Sequence, residues 1–312
     1  MAPTAKVVSR GSAGIVLLLL VILFAETVCF ATEAGLGAYW PGYRNYLAGI
    51  VPSKPGFSLR NDVVFFSGTA DRVVLNGLPI ENVSADVVVE IIEPIYVFPW
   101  KVFGGNHAFV VTQPFAWAKL SGRVIGTNIE PSGSRGAPGD TVVSPFYIGW
   151  HKGNIFFNTN LAIFIPTGDY DINRVVNISR NYLTFDPELG VTYLNPKTGL
   201  DVSGVLGYSI NTENGATHYT SGDAIHLDFA VGQLMKNRLK PGISGYAWVQ
   251  VTPDSGPGAI FGSFESRVFG IGPIVQWSVG RNSDLKFRYY HEFGATNHLQ
   301  GDQYVLSFKA AL

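Results

Sequence analysis

Residues 200–234 read LDVSGVLGYSINTENGATHYTSGDAIHLDFAVGQL. Two alternating segments flank a polar loop. In the first, Leu200, Val202, Leu206, Tyr208 and Ile210 share a face, and Asp201, Ser203, Ser209 and Asn211 share the other, with Val205 as its one apolar member. In the second, Ile225, Leu227, Phe229 and Val231 oppose His226 and Asp228. A period of two with one apolar row marks a strand with two unlike environments. A soluble sandwich turns the apolar row inward, whereas a membrane barrel turns it outward to lipid and keeps the polar row around a lumen.

The rest of the chain favours the barrel. Twelve strand segments are predicted, at 57–66, 87–98, 107–120, 142–150, 155–166, 181–194, 200–211, 223–235, 242–254, 264–279, 284–293 and 303–312. Their lengths suit the ~9–11 residues of a tilted membrane strand better than the ~5–6 residues of a soluble one. Short turns (151–154, 195–199, 236–241, 280–283) alternate with long polar loops (67–86, 121–141, 167–180, 212–222, 255–263, 294–302), and only the link at 99–106 is ambiguous. Outer-membrane barrels have this rhythm, with short turns at the periplasmic end. The faces agree: Leu285, Phe287, Tyr289, His291 and Phe293 oppose Asp284, Lys286, Arg288, Tyr290 and Glu292, and Tyr304, Leu306, Phe308, Ala310 and Leu312 oppose Ser307 and Lys309. Trp100, Trp117, Trp150, Tyr182 and Trp277 stand near strand ends, where aromatic girdles form. The fold class is therefore all-β: a single antiparallel transmembrane β-barrel of about twelve strands over residues 57–312.

Composition sets the remaining bounds. A net charge of −1 gives no basic surface for nucleic acid, and 14% charged residues with 13% aromatics describe an apolar chain. Lys6 and Arg10, the apolar run 15–24 and Cys29-Phe30-Ala31 compose a signal peptide cleaved after Ala31, so 1–31 is an export signal. Cys29 is the lone cysteine, which leaves the mature chain without disulfides or thiolate ligands. Residues 32–56, rich in Gly, Pro and aromatics, form a periplasmic leader or a segment folded into the lumen, with a short helix at 42–50.

Asp169, Asp171 and Asn173 have the odd spacing of a calcium loop, but Arg174 and Arg180 replace the turn glycine and the closing glutamate. Ser221, His226 and Asp223 or Asp228 supply the residue types of a hydrolytic triad without a nucleophile elbow. His226 and Asp228 lack a third metal ligand set by spacing. No cofactor and no metal is expected. Charges of both signs fall on the polar faces (Arg60, Asp62, His226, Asp228, Asp284, Lys286, Arg288, Glu292), which suits a neutral solute better than an ion. The expected solute contacts are Tyr43, Arg44 and Tyr46 in the leader, with His226, Asp228, Tyr246, Gln250 and Arg288 on the wall.

Several motifs together resemble one family. They are Tyr39-Trp40-Pro41-Gly42, Asn45-Tyr46-Leu47-Ala48-Gly49, Pro52 and Pro55-Gly56, the PTGDYD of 166–171, the polar run 211–228, Gln250 with Asp254, and Gly272-Pro273. The chain resembles the transporter-like family named for the meta-pathway of phenol degradation, a group of predicted outer-membrane proteins. Pro52-Ser53-Lys54-Pro55-Gly56 stands where that family often has a run of prolines. The resemblance implies a bacterial outer-membrane barrel, in contact with lipid, that passes small hydrophobic or aromatic solutes. Two other readings are carried beside it: a barrel-borne lipid or ester hydrolase built on residues 221–228, and a structural or adhesive surface barrel.

Overall fold

The computed structural model describes residues 36–75, 78–280 and 282–312. The expected export signal lies outside the described residues. Thirteen strands follow the leader: β1 (Gly56–Leu75), β2 (Leu78–Val102), β3 (Gly105–Val124), β4 (Ser132–Pro138), β5 (Thr141–Lys152), β6 (Ile155–Ile165), β7 (Thr184–Asn195), β8 (Leu200–Asn211), β9 (Ala224–Gln233), β10 (Leu239–Gln250), β11 (Arg267–Val279), β12 (Ser283–Thr296) and β13 (Gln300–Ala311). Every pairing is antiparallel. The order β2-β1-β13-β12-β11-β10-β9-β8-β7-β6-β5-β3, with β2 also paired to β3, closes a ring of 12 strands. Closure leaves no free edge, the condition for a sheet to sit in lipid. β4 stands outside the ring, paired with β3 alone along 115–121, while β5 takes the other half of β3 along 106–112.

The opening stretch becomes β8 and β9, paired from Leu200↔Gln233 to Ser209↔Ala224. Val202, Leu206, Ile210, Ile225 and Val231 are exposed on the outer surface, while Asp201, Ser203, Ser209, His226 and Asp228 are buried. The apolar row therefore looks outward. β12 and β13 repeat this, with Leu285, Phe287, Phe293, Tyr304, Leu306 and Phe308 exposed and Arg288, Glu292, Gln303 and Ser307 buried. The chain returns to its start at the seam, where the Leu312 N–H donates to the Phe57 carbonyl at 2.8 Å.

Four expectations are corrected. Residues 67–86 are not a loop: β1 and β2 continue as a hairpin whose register runs through Arg72↔Glu81 to Leu75↔Leu78. Val73, Ile80, Val83 and Ala85 explain it, because their buried row zips the two strands well past the first stretch of alternation. The loop expected at 121–141 contains β4. The segment 42–50 forms successive turns rather than a helix (Tyr43 N–H to Trp40 O at 3.3 Å, Ala48 N–H to Asn45 O at 3.2 Å, Ile50 N–H to Leu47 O at 2.9 Å). The amides of Gly42, Arg44, Leu47 and Gly49 are taken by the wall. The ambiguous link 99–106 resolves as a two-residue turn with both residues at positive φ, Phe103 at 48° and Gly104 at 74°, as a tight hairpin of matching twist requires. Tyr182 is 3% exposed and faces in, so it is no girdle residue.

The polar-inside rule does not hold all the way round. On β2 the buried row is Val83, Ala85, Val87, Val89 and Ile91, joined by Val64 and Phe66 of β1, and Ala116, Ala118 and Leu120 of β3 pack against it. Asp86 and Glu90, of opposite parity, are exposed outside, bonded to Ser67 (2.7 Å) and Asn61 (3.0 Å). One side of the interior is thus apolar, while the rest mixes polar rows with smaller apolar clusters. This asymmetry positions the site.

Candidate functional site

The leader crosses the interior of the ring. Several of its backbone groups are bonded to inward side chains. Asp228 of β9 accepts the N–H groups of Gly42 and Arg44, each at 2.9 Å, and the Tyr39 hydroxyl at 2.6 Å. Ser203 accepts Leu47 N–H at 3.0 Å and Thr192 accepts Gly49 N–H at 2.9 Å. Asn158 donates to Ala48 O at 2.7 Å and Arg288 to Gly42 O at 3.0 Å. Gly49 lies so close to β7 that a Cβ there would come 2.6 Å from the Val191 carbonyl carbon. Only glycine fits that approach. Buried backbone amides need partners, and here the polar rows of β6–β9 and β12 supply them.

A charged network lies beneath this segment. Arg44 Nη2 meets Glu188 Oε2 at 2.8 Å, and Asn160 Nδ2 donates to the same oxygen at 2.8 Å. His226 Nε2 lies 3.0 Å from Asp186 Oδ2, which also accepts the Ser209 hydroxyl at 2.8 Å. The Tyr39 ring stacks on the His226 imidazole with centroids 3.6 Å apart. One donor atom each from Asp186, Glu188 and His226 lies within 4.8 Å of the others, a spacing that suits a metal. Those donors already engage Ser209, Arg44, Asn160 and each other. The carboxylate that His226 meets is thus Asp186, while Asp223 accepts the Tyr208 hydroxyl at 3.0 Å and Asp228 serves the leader.

Beside the network is a cavity of about 240 Å³. Val87, Val89 and Ile91 of β2, Ala116 and Ala118 of β3, Val142 of β5 and Ala162 and Phe164 of β6 line its wall, with Leu36, Trp40 and Tyr43 of the leader across it. Residues 175–180 and Leu299 border it as well. Its polar end carries Glu93, Thr112, Arg44, Asn160 and Glu188. There Glu93 accepts the hydroxyls of Tyr43 and Thr112, the latter at 3.2 Å. The adjoining wall is irregular. The β5–β6 ladder breaks between Val143 and Ile148, and Pro145 within that break has no N–H to offer a ladder.

The predicted contact residues separate into two groups. Tyr43 and Arg44 border the cavity, whereas Tyr46, His226, Asp228, Tyr246, Gln250 and Arg288 lie away from it in packed polar contacts. Tyr46 stands under Lys240, whose Nζ is 4.7 Å from the ring centroid and 2.8 Å from Asp201. The Tyr246 hydroxyl donates to Glu292 at 2.5 Å, and Arg288 holds Asp62 at 2.9 Å. Gln250 Nε2 donates to Asp254 at 2.8 Å. Sequence reasoning passed over the cavity walls on β2 and β3 and the polar groups Glu93, Asn160 and Glu188. One signal was present: within 86–91 the acidic residues Asp86 and Glu90 share parity with each other and oppose the row Val87, Val89 and Ile91.

At the loop end of the ring, burial pushes the Asp254 carboxyl up even though it accepts Tyr219, Gln250 and the N–H groups of Gly222 and Phe264. Burial pushes the His298 imidazole down to about 4. Asp169, the first acid of the calcium-like loop, is held low by Arg174 and Arg135, which occupy its oxygens.

A closed antiparallel ring with an apolar exterior and a largely polar interior is a transmembrane β-barrel of the outer-membrane type. Residues 54–308 match the family described as "Putative MetA-pathway of phenol degradation", and the chain belongs to that family. Among solved structures the chain is similar to the COG4313 outer membrane channel from Pseudomonas putida F1, at a TM-score of 0.63 and 11% identity over 84% of this chain and 100% of that one. It is also similar to the beta domain of the Bordetella autotransporter BrkA, at a TM-score of 0.49 and 9% identity over 83% of this chain and 100% of that one. No curated protein matches the sequence.

Proposed function

We propose that the barrel carries small hydrophobic or aromatic molecules passively across the outer membrane, and that the apolar cavity is where they rest on the way. The observation that carries this reading is the continuous apolar inner face of β2 and β3 lining the cavity, in a ring whose other inward rows are polar or mixed. A water-filled pore has no use for such a face, and an apolar solute gains from it. Twelve strands enclose a narrow lumen, far from the ~16–18 strands of an open porin. Binding followed by release therefore suits the interior better than bulk flow. The leader, pinned to the wall at Asp228, Ser203 and Thr192, acts in this reading as a plug that leaves passage only beside it. Residues 1–31 direct export and are removed.

The test is uptake of a series of radiolabelled aromatic compounds by cells with and without the protein. Faster uptake with the protein is expected, and equal rates across the series would remove the transport reading.

A further inference from the structure

Among the described residues, one hydrogen-bond acceptor at the polar end of the cavity is left without a donor. Asn160 of β6 is 2% exposed and borders the cavity. Its Nδ2 donates to Glu188 Oε2 at 2.8 Å, and its Oδ1 has no hydrogen-bond partner among the described residues. The amide cannot relieve this by turning over. A flip would set Oδ1 against the Glu188 carboxylate, acceptor against acceptor, and discard the bond that Nδ2 makes. Two hydroxyls at the same end of the cavity are already committed, since Thr112 and Tyr43 both donate to Glu93. A spare acceptor therefore stands at the polar end of an otherwise apolar space.

We propose that Asn160 is a specificity-determining residue of this cavity, its Oδ1 accepting the hydrogen of a hydroxyl group on a neutral, ring-sized apolar molecule. The inference rests on the cavity being the resting place of the solute. Size supports a ring with a substituent: the cavity is about 240 Å³, and an engineered apolar cavity of ~150 Å³ is enough to hold benzene. Charge supports a neutral solute. Arg44 is paired with Glu188 at 2.8 Å, and Arg60 lies 3.8 Å from Glu93. An ion entering there finds each countercharge already matched and loses its hydration without return. A neutral phenol or aryl alcohol brings the missing hydrogen. A phenolate or an ether does not. An unmet buried acceptor costs a site on the order of tenfold in an equilibrium.

The experiment compares p-cresol, 4-methylanisole and p-xylene, three rings of similar size that offer a donor, an acceptor only, and neither. Uptake of each is measured in cells expressing the full chain, after subtraction of uptake in cells lacking it. The expected result is entry of p-cresol about tenfold faster than 4-methylanisole at limiting concentration. Asn160→Leu should erase that preference, so that p-cresol and 4-methylanisole enter at equal rates. Equal entry of p-cresol and 4-methylanisole into cells with the native protein would overturn the inference. So would 4-methylanisole entering faster than both others, because an acceptor preferred over a donor points to a protein N–H such as Trp40 Nε1, also unpartnered among the described residues and bordering the cavity. If p-xylene enters faster with the protein but the hydroxyl confers nothing, the transport reading stands and the role of Asn160 falls. Entry of none of the three above background would take down the transport reading itself. The native ranking needs no variant, so a failure of Asn160→Leu to assemble would not shelter the inference.

Discussion

Tyr39 and His226 lie face to face, their rings 14° from parallel with centroids 3.6 Å apart. One comes from the leader and the other from β9, so this contact joins the segment that crosses the interior to the wall that holds it. The Tyr39 hydroxyl continues past the stack to Asp228, two residues further along β9. Stacking fixes the ring laterally, and the hydrogen bond fixes it in depth.

Asp228 should therefore be the residue on which the leader's attachment depends most. Asp228→Ala strands the Tyr39 hydroxyl and the N–H groups of Gly42 and Arg44, and a buried bond left unmade costs about 1–3 kcal/mol. The ring itself keeps its ladder bonds. Hydrogen–deuterium exchange should rise across residues 37–50 and stay slow in β7–β10. Unchanged exchange in the leader would show that the anchor lies elsewhere.

Arg44 and Glu188 give a prediction with an internal rescue. Glu188 is 4% exposed, and Arg44 is the cation that meets it. Removing one partner of a buried pair costs about 3–5 kcal/mol, because the other charge is left alone. Arg44→Ala should lower the urea midpoint of the refolded barrel by that order. Arg44→Ala with Glu188→Gln should recover most of the loss, since no lone charge remains. A double variant as unstable as the single one would mean that Arg44 acts through packing on Tyr147, over whose ring it lies at 5.1 Å.

The barrel was legible because strands β7–β9, β12 and β13 obey one rule, with apolar side chains to lipid and polar ones inward. Their alternation is visible in any window of ten residues. The cavity was not legible for the opposite reason. On β1–β3 the inward row is apolar too, so the run around Val87–Val88–Val89 carries no contrast between faces, and only Asp86 and Glu90 reveal which parity looks out. The hairpin beyond residue 67 was hidden by Gly68, Asp71 and Arg72, which read as loop residues until the buried Val73 is seen paired with Ile80 and Val83 with Ala70. The expectation that His226, Asp228 and Arg288 face inward followed from parity alone. That their polar atoms are occupied by the leader and by Asp186 and Asp62 depends on how 36–55 folds across the ring, and no local pattern encodes that.

His298 should impose an acid limit on stability. It sits in the connection between β12 and β13, 3% exposed, with Nδ1 2.6 Å from the Leu299 carbonyl. Its ordinary value of 6.5 falls to about 4 in the folded protein. As pH drops through 6.5, the unfolded chain takes up a proton that the folded chain refuses, so stability declines until pH falls to about 4, where the loss is complete. The full loss is about 3 kcal/mol. His298→Gln should flatten the decline between about pH 7 and 4. Parallel profiles down to pH 4 would place the titrating group elsewhere.

Filling the cavity should separate passage from folding. Ala162 is 6% exposed on β6 and lines the space across from Val89 and Ile91. An indole at that position adds roughly the bulk of the solute it would exclude, and the apolar walls accept it without stranding a polar group. Ala162→Trp should therefore assemble, run as a heat-modifiable barrel on gels and resist urea much as the native protein does. Uptake of aromatic compounds should fall to the level of cells without the protein. A control at Ile243 of β10, which is exposed on the outer surface, should leave uptake untouched when replaced by Trp, since lipid receives the ring. Full uptake through assembled Ala162→Trp would mean that solutes pass by a route that avoids the apolar face of β2, and the cavity would then be a packing defect rather than a station on the path.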